Sequence, residues 1–365
     1  MINNKTVAVV VPAYNEETQI ASVIETMPDF VDRIVVVNDC SKDNTLQVVL
    51  NCINNDTRDY ANDKICIKTI VPNRYNEAEI AIQKMFMDDY VYFKKQENLT
   101  PNPEHSRIIL INHLENGGVG ASIASGYKWC RDNNIDCTAV MAGDGQMDPD
   151  ELLGICQPVI SDNIDYVKGN RLSHRCAKQL IPSKRFFGNS ILSIMTKLAS
   201  GYWRVSDTQT GYTAISLEAL KSIELHKIYK NYGMPNDMLV KLNIANCSIR
   251  EIPIKPIYRV GEKSKMKIYK VIPRISLLLL KSFFVRIWCK YFKRDFHPLS
   301  ILYFMGILLL LISIRYIVLM AGQAFSETGI SDNYLIKYVF LVISGMMSLL
   351  FAMWMDIQDN DRLYK

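Results

Sequence analysis

Short apolar runs recur along the first half of the chain, and each is followed by a polar loop and a stretch of helical period. The runs are too short for helices, which is typical of strands buried on both faces of a parallel sheet. They are Val7–Val11, Ile34–Val37, Ile108–Ile111, Thr138–Met141 and Tyr166–Val167. Strands that alternate with helices predict an α/β fold with a doubly wound, mostly parallel sheet.

Polar motifs follow all of these predicted strands. They are Pro12–Glu16, Asn38–Asp39, Asn116–Gly120, Ala142–Gln146 and Gly169–Arg171. Sheets of this kind bind their ligands beyond the carboxyl ends of the strands. Because the carboxyl ends of parallel strands share one edge, the polar loops are expected to surround a single binding site.

The remainder of the chain departs from this pattern. Residues 52–107 are polar and irregular, and we interpret them as an insertion that forms a lid, a partner surface or a plain surface excursion. Near the C-terminus, Leu299–Met320 and Tyr338–Met355 are apolar stretches of about the 20 residues that a bilayer-spanning helix needs. Before them, residues 268–292 mix apolar and basic side chains, which indicates helices in the membrane interface.

These features predict an organisation in four parts. They are a globular domain at 1–265, interfacial helices at 266–297, two transmembrane helices at 298–356 and a tail at 357–365. Basic residues just before the first apolar stretch place both ends of the helical hairpin in the cytoplasm. The predicted location is therefore a cell membrane, with the globular domain on the cytoplasmic side. The net charge is only +5, so no nucleic-acid partner is implied; the lipid bilayer is an expected partner, and a homo-oligomer stays open.

Asp144 is the most informative single residue. It follows a predicted strand and lies between two glycines, where the backbone can approach a ligand closely. A carboxylate at that place can hold Mg²⁺ or Mn²⁺ together with substrate phosphates, and Gln146 can orient the same site. A turn cap would explain Asp144 alone, but the presence of Asp39 and Arg171 on neighbouring loops favours a site.

Other polar residues suit a nucleotide and its chemistry. Asp39 can accept a hydrogen bond from a base edge, Tyr14 can stack on a base, and Glu16 can bind ribose hydroxyls. Asp207 and Asp237 are candidate acids; a turn cap is the alternative explanation of Asp207, and a helix N-cap is that of Asp237. Basic side chains that can hold phosphates are Arg171, Lys184, Arg185, Arg259, Lys263 and Lys265.

Taken together, the motifs resemble family 2 glycosyltransferases of the polyprenyl-phosphate type, the group of dolichyl-phosphate mannose synthase and the bactoprenol glucosyltransferases. The resemblance rests on Pro12–Glu16, Asn38–Thr45, Gly143–Pro149, Asp207–Gly211 and Arg259–Lys265. It implies a GT-A fold and an inverting hexosyltransferase. The implied reaction moves a sugar from a nucleoside diphosphate sugar, with UDP-glucose favoured, to polyprenyl phosphate.

The resemblance also implies roles for individual residues. Nucleotide-sugar binding is implied for Pro12, Tyr14, Glu16, Asp39, Ala142, Asp144, Gln146, Arg259 and Lys265. Binding of the acceptor phosphate is implied for Arg171, Arg185 and Asn189, and binding of Mg²⁺ or Mn²⁺ for Asp144 and Gln146. Asp144 is the main catalytic candidate. Asp207 and Asp237 are secondary, because a phosphate acceptor is already ionised and needs little help from a base.

The sequence departs from the family pattern at two places, and one of them is the 52–107 insertion, which is not part of the common pattern. The family's D-x-D motif reads Ala142–Asp144 here, so its first carboxylate is missing. This keeps a catalytically inactive, nucleotide-sensing membrane scaffold as an alternative. A processive polysaccharide synthase is a second alternative, but it would need a Gln-x-x-Arg-Trp motif and more membrane spans.

Overall fold

The computed structural model describes residues 1–62, 64–67, 70–175, 183–257, 268–324 and 331–365 of the 365-residue chain. Arg259, Lys263 and Lys265 lie outside the described residues. The side chains at positions 183–189 also lie outside the description, and they include those of Lys184, Arg185 and Asn189.

An eight-stranded sheet forms the centre of the globular part. Its strands are β1 (Val7–Ala13), β2 (Arg33–Asn38), β3 (Gln96–Asn98), β4 (Ile108–His113), β5 (Cys137–Val140), β6 (Tyr166–Asn170), β7 (Thr213–Ser216) and β8 (Ile249–Pro253). They lie in the order β3-β4-β2-β1-β5-β7-β6-β8. Strands β4, β2, β1 and β5 are parallel, as are β6 and β8, whereas β3 and β7 run antiparallel to their neighbours. The predicted α/β class with a mostly parallel sheet is confirmed.

The described helices cover the sheet and form the C-terminal part. They are α1 (Ile20–Glu25), α2 (Thr45–Asn55), α3 (Glu77–Asp88), α4 (Val119–Asp132), α5 (Leu152–Ser161), α6 (Ser183–Ser200), α7 (Leu217–Ser222), α8 (Met234–Ile244), α9 (Ile268–Trp288), α10 (Pro298–Ala324) and α11 (Asp332–Asp361). Before α5, the carboxylate of Asp148 accepts a hydrogen bond from the Asp150 N–H at 3.0 Å. Pro149 then opens the short 3₁₀ turn that leads into α5.

The central strand β1 explains why its sequence is apolar at every position. Ala8 and Val10 belong to a core layer that includes Tyr127 of α4. Val9 belongs to the opposite layer, together with Ile155 of α5. Both faces of β1 are covered by helices, so the side chains that point to each face are removed from water. This burial of apolar surface stabilises β1 at the centre of the sheet.

The insertion contributes to the sheet edge. It begins within α2 and contains α3 and β3, and β3 extends the sheet by pairing with β4. Helix α3 has no buried residue. Just after it, Asp89 accepts hydrogen bonds from Lys128 and Arg131 of α4, at 2.7 and 3.0 Å, which fastens the insertion to the main body.

The C-terminal helices continue directly from the globular part. Two segments, Pro298–Gln323 and Asp332–Asp361, are long and apolar enough to cross a membrane by length and composition. Helix α11 includes the first residues of the predicted tail, and the chain after it lies beside β8. There the Ile249 N–H donates to the Leu363 carbonyl at 2.7 Å, and the Lys365 N–H donates to the Ile249 carbonyl at 3.0 Å. The C-terminus is therefore attached to the sheet.

Candidate active site

The loops after β1 and β2 are joined by hydrogen bonds. The Asn15 N–H donates to Ser41 Oγ at 3.0 Å, and the Glu16 N–H donates to Thr45 Oγ1 at 2.9 Å. Beside these contacts, the ring of Tyr14 is 36% exposed, so that one face of the loop carries an accessible aromatic surface. The motifs that contain Pro12, Tyr14 and Glu16 thus meet at the carboxyl end of the sheet, as the sequence predicts.

Asp39 is buried at the end of β2 and receives several hydrogen bonds. His113 Nδ1 lies 2.8 Å from its Oδ1, and the N–H groups of Gly117 and Gly118 donate to its two oxygens at 2.8 Å each. Burial alone would raise the pKa of Asp39, but the hydrogen bonds from His113 and the two glycines outweigh it, so the pKa lies below its ordinary value. Asp39 is therefore a charged group that organises the start of α4.

Gly118 must be a glycine for this arrangement. Its φ is +85°, and a Cβ atom there would lie 2.5 Å from the carbonyl oxygen of Lys230. The segment of Lys230 is held by Asp237, which accepts hydrogen bonds from the Tyr229 N–H at 2.8 Å and from Lys241 Nζ. Asp237 thus supports the start of α4, and these contacts do not favour its predicted role as an acid or base.

Asp144 lies on the other side of the end of β1 from Asp39. The Asp39 N–H donates to the Ala13 carbonyl, and the Gly143 N–H donates to the Pro12 carbonyl, so the two loops flank one strand end. Burial raises the pKa of the Asp144 carboxyl above its ordinary value, and the hydrogen bond from the Gln146 N–H offsets this only in part. A carboxylate in this state is stabilised by a bound cation.

A pocket opens at this edge and brings several predicted residues together. Its lining includes Asp144, Gln146 and Arg171, and also Glu151 and Lys255. Sequence reasoning missed the last two. Glu151 Oε1 accepts the Lys255 N–H at 2.9 Å. Lys255 could have been found from its place in the loop after β8, since the loops after the other strands also carry predicted site residues.

Arg171 is held in the pocket wall by a two-pronged pairing with Asp207. Nε donates to Oδ2 at 2.8 Å, and Nη2 donates to Oδ1 at 3.0 Å. Asp207 is 2% exposed; burial would raise the pKa of its carboxyl, but Arg171 and Lys168 hold it below the ordinary value. These contacts make Asp207 a support for Arg171 and do not favour its predicted role as a base.

Other predicted ligands are not tested by the described residues. Arg259 and Lys265 lie outside them, and Arg185 and Asn189 lie on α6 without described side chains. Within the described parts of the chain, no group of three or more His, Cys, Asp or Glu side chains is arranged to hold a metal ion. Ala142 stands beside Asp144 and contributes no oxygen ligand from its side chain.

The comparisons with known proteins agree with this geometry. Residues 8–77 match the family model described as Glycosyl transferase family 2. The chain is 28% identical over 256 residues to a UDP-N-acetylglucosamine–dolichyl-phosphate N-acetylglucosaminyltransferase from Methanococcus voltae, covering 70% of this chain and 87% of that protein. It is 24% identical over 295 residues to a dolichyl-phosphate beta-glucosyltransferase from Trichomonas vaginalis, covering 77% of this chain and 74% of that protein.

A solved structure is also similar. It is glucosyl-3-phosphoglycerate synthase from Mycobacterium tuberculosis, in complex with Mn²⁺, UDP and glucosyl-3-phosphoglycerate. The identity is 15% and the TM-score 0.46, covering 78% of this chain and 80% of that one.

The mixed, mostly parallel sheet, with its polar loops gathered at the carboxyl edge, is GT-A-like, as the sequence predicts. More particularly, residues 8–77 match the family 2 glycosyltransferase model, and the chain is similar to curated glycosyltransferases of the dolichyl-phosphate type, which supports a glycosyltransferase enzyme. The predicted resemblance and enzyme class are confirmed. The two apolar helices and these relatives together indicate a membrane protein.

Proposed function

We propose that this enzyme transfers a sugar from a UDP-linked donor to a polyprenyl phosphate, with inversion at the anomeric carbon. The observation that carries the proposal is the pocket at the carboxyl edge, where Asp144, Gln146 and Arg171 line one cavity. A buried carboxylate can bind a cation and an arginine can pair with a phosphate, and such a reaction can use both groups. UDP-glucose is the favoured donor, and the curated relatives add UDP-N-acetylglucosamine as a second candidate.

A divalent cation fits the residues that are present. Mg²⁺ is usually bound by one or two carboxylates, with water and substrate phosphates completing its shell. Asp144 supplies one carboxylate whose buried setting disfavours charge, and Gln146 supplies a neutral oxygen nearby. When bound, the cation would neutralise charge on the departing diphosphate. The missing carboxylate at Ala142 agrees with a site that relies on the donor for its remaining ligands.

The residues of the chain would act mainly by positioning. The acceptor phosphate is ionised at neutral pH, so the attack on the anomeric carbon needs no strong general base. Arg171, held by Asp207, would orient the acceptor phosphate beside the donor sugar. Placing two reactants in the correct relative position accounts for a large part of the rate acceleration of many enzymes. We propose that Arg185 and Asn189 on α6 assist with the acceptor, and that Arg259 and Lys265 bind the donor phosphates.

We further propose that α10 and α11 cross the membrane as a hairpin and that the globular domain lies on the cytoplasmic side. Lys290, Lys293 and Arg294 precede α10, and basic residues are enriched on the cytoplasmic side of membrane spans. Helix α9 exposes Leu277 and Trp288 on its surface, at 69% and 49%, which suits a position in the membrane interface. In this orientation the pocket lies on the side where nucleotide sugars are available.

The test is a transfer assay with the purified full chain in lipid nanodiscs that contain undecaprenyl phosphate. UDP-glucose, UDP-N-acetylglucosamine, UDP-galactose and GDP-mannose, each radiolabelled, are supplied with Mg²⁺ or with Mn²⁺. We expect one of the UDP-sugars to give a labelled lipid that extracts into butanol and is cleaved by mild acid. The Asp144→Asn variant should lose this product, whereas Asp150→Asn, an exposed neighbour that does not line the pocket, should retain it.

The alternatives give different results. Nucleotide binding without a labelled lipid from any donor would support the inactive scaffold and overturn the proposal. A polymer that stays in the aqueous phase would support the processive synthase.

A further inference from the structure

Lys168 is a fully buried lysine beneath the pocket wall. It lies on β6, on the strand face it shares with Tyr166, and is 0% exposed. Its Nζ donates to the carbonyl of Thr210 in the loop that follows Asp207. A buried ammonium group is costly unless negative charges compensate it, so its surroundings require an explanation.

Two carboxylates supply that compensation. Buried Asp207 and half-buried Glu251 both act electrostatically on Lys168 and stabilise its charged form against the effect of burial. Glu251 lies on β8, and it accepts the N–H groups of Ser206 and Asp207 at 3.0 Å each and the Asn170 side-chain amide at 2.9 Å. It therefore fixes the residue before Arg171 and the residue that pairs with Arg171.

Arg171, Lys168, Asp207 and Glu251 form a cluster of two positive and two negative charges. Asp207 is matched by Arg171 in a two-pronged pairing, and this leaves Glu251 as the second carboxylate and Lys168 as the second cation. None of Lys168, Glu251 or Asp207 lies in the described lining of the pocket, whereas Arg171 does. Asp207 connects these groups to the pocket through Arg171, and Lys168 also reaches the lining through the carbonyl of Thr210.

We propose that Lys168 and Glu251 are positioning residues of the transferase: Lys168 offsets the negative charge of Asp207, Glu251 holds the Asp207 backbone in place, and Arg171 is thereby presented to the acceptor phosphate. This inference rests on the proposed function. Neither residue touches a substrate; removal of either charge leaves an uncompensated group beside the Asp207–Arg171 pair, and the guanidinium loses its fixed orientation.

The first experiment compares Lys168→Met with a matched control, Lys128→Met. Lys128 of α4 is also a buried lysine, but it pairs with Asp89 and Asp132 and does not line the pocket. In the nanodisc assay, Lys168→Met should raise the KM for undecaprenyl phosphate by about tenfold while the KM for the UDP-sugar stays within about twofold. Lys128→Met should leave both constants within about twofold. Equal effects of Lys168→Met on both constants, or none, would overturn the inference.

The second experiment asks whether charge, and not packing, is responsible. Glu251→Gln and the double variant Lys168→Met/Glu251→Gln are compared by thermal unfolding of the full chain in detergent. Each single variant leaves one charge unmatched and should lower Tm, whereas the double variant restores neutrality and should lose less than the sum of the two. Additive losses would overturn the inference.

The two experiments separate this inference from the proposed function. If the wild-type chain transfers no sugar, the proposed function fails, and the inference is then judged on the unfolding cycle alone. If the wild-type chain is active and either the acceptor KM of Lys168→Met is unchanged or the double variant shows additive losses, the inference fails and the proposed function stands.

Discussion

The buried pair of Arg286 and Asp356 gives a sharp prediction about stability. The two side chains are each 0% exposed, and Nη1 and Nη2 of Arg286 donate to the two oxygens of Asp356 at 2.7 and 2.8 Å. Arg286 also donates to the carbonyls of Ala199 and Leu198, so it joins α9, α11 and the end of α6. Asp356→Asn would leave the guanidinium charged and buried without its partner, which costs roughly 3–5 kcal/mol.

A loss of this size corresponds to a fall in Tm on the order of 5–10 °C for a chain of several hundred residues. The assay is thermal unfolding of the full chain in detergent, followed by intrinsic fluorescence. The matched control is Asp361→Asn, which removes the partner of Arg204 from a pair whose side chains are 58% and 47% exposed. An exposed pair contributes about 1 kcal/mol or less, so this control should lower Tm by only about 2 °C.

The same reasoning predicts the behaviour of a charge-free pair. Arg286→Met/Asp356→Leu should be more stable than Asp356→Asn alone, because apolar side chains of similar volume leave no unmatched charge. If Asp356→Asn lowers Tm no more than Asp361→Asn does, the account of this pair is refuted.

Three further predictions concern activity. Chelation with EDTA should abolish transfer and added Mg²⁺ or Mn²⁺ should restore it; full activity in EDTA would remove the metal role of Asp144. Asp39→Asn should weaken UDP binding by at least about tenfold in calorimetry, because a neutral amide no longer holds the two glycine N–H groups at the start of α4. The acceptor KM should rise as the pH passes about 8: burial, opposed by Asp207 and Glu251, lowers the pKa of Lys168 to about 8, so the lysine is protonated below that pH and loses its charge above it. Lys168→Arg should show no such rise, and an identical rise in that variant would contradict the role of Lys168.

The central strands could be predicted from the sequence because their signal is local. Runs such as Val7–Val11 are apolar at every position, and only a strand covered on both faces requires this. Strand β7 was not predicted. Thr213–Ser216 is short and mixed in polarity, and its antiparallel place between β5 and β6 depends on partners far away in the chain.

The candidate site was predictable in its location and less so in its contacts. Asp39, Asp144 and Arg171 were placed at one edge because each follows a strand. The hydrogen-bond partners of Asp39 could not be predicted in this way. His113 is 74 residues away in the chain and becomes a neighbour only because β2 and β4 pair. The same holds for Arg171 and Asp207, which are 36 residues apart, so neither pairing has a signal in the linear sequence.

The attachment of the C-terminus to β8 links the apolar helix α11 to the sheet of the globular part. Ile249 holds the last residues of the chain, and Glu251, two positions later on the same strand, holds the loop of Asp207. If α11 crosses a bilayer as proposed, a change in bilayer thickness that alters its tilt pulls on the strand that supports Arg171. The thickness of the surrounding lipid then becomes a variable of the reaction, and the enzyme would work at different rates in thin and thick membranes.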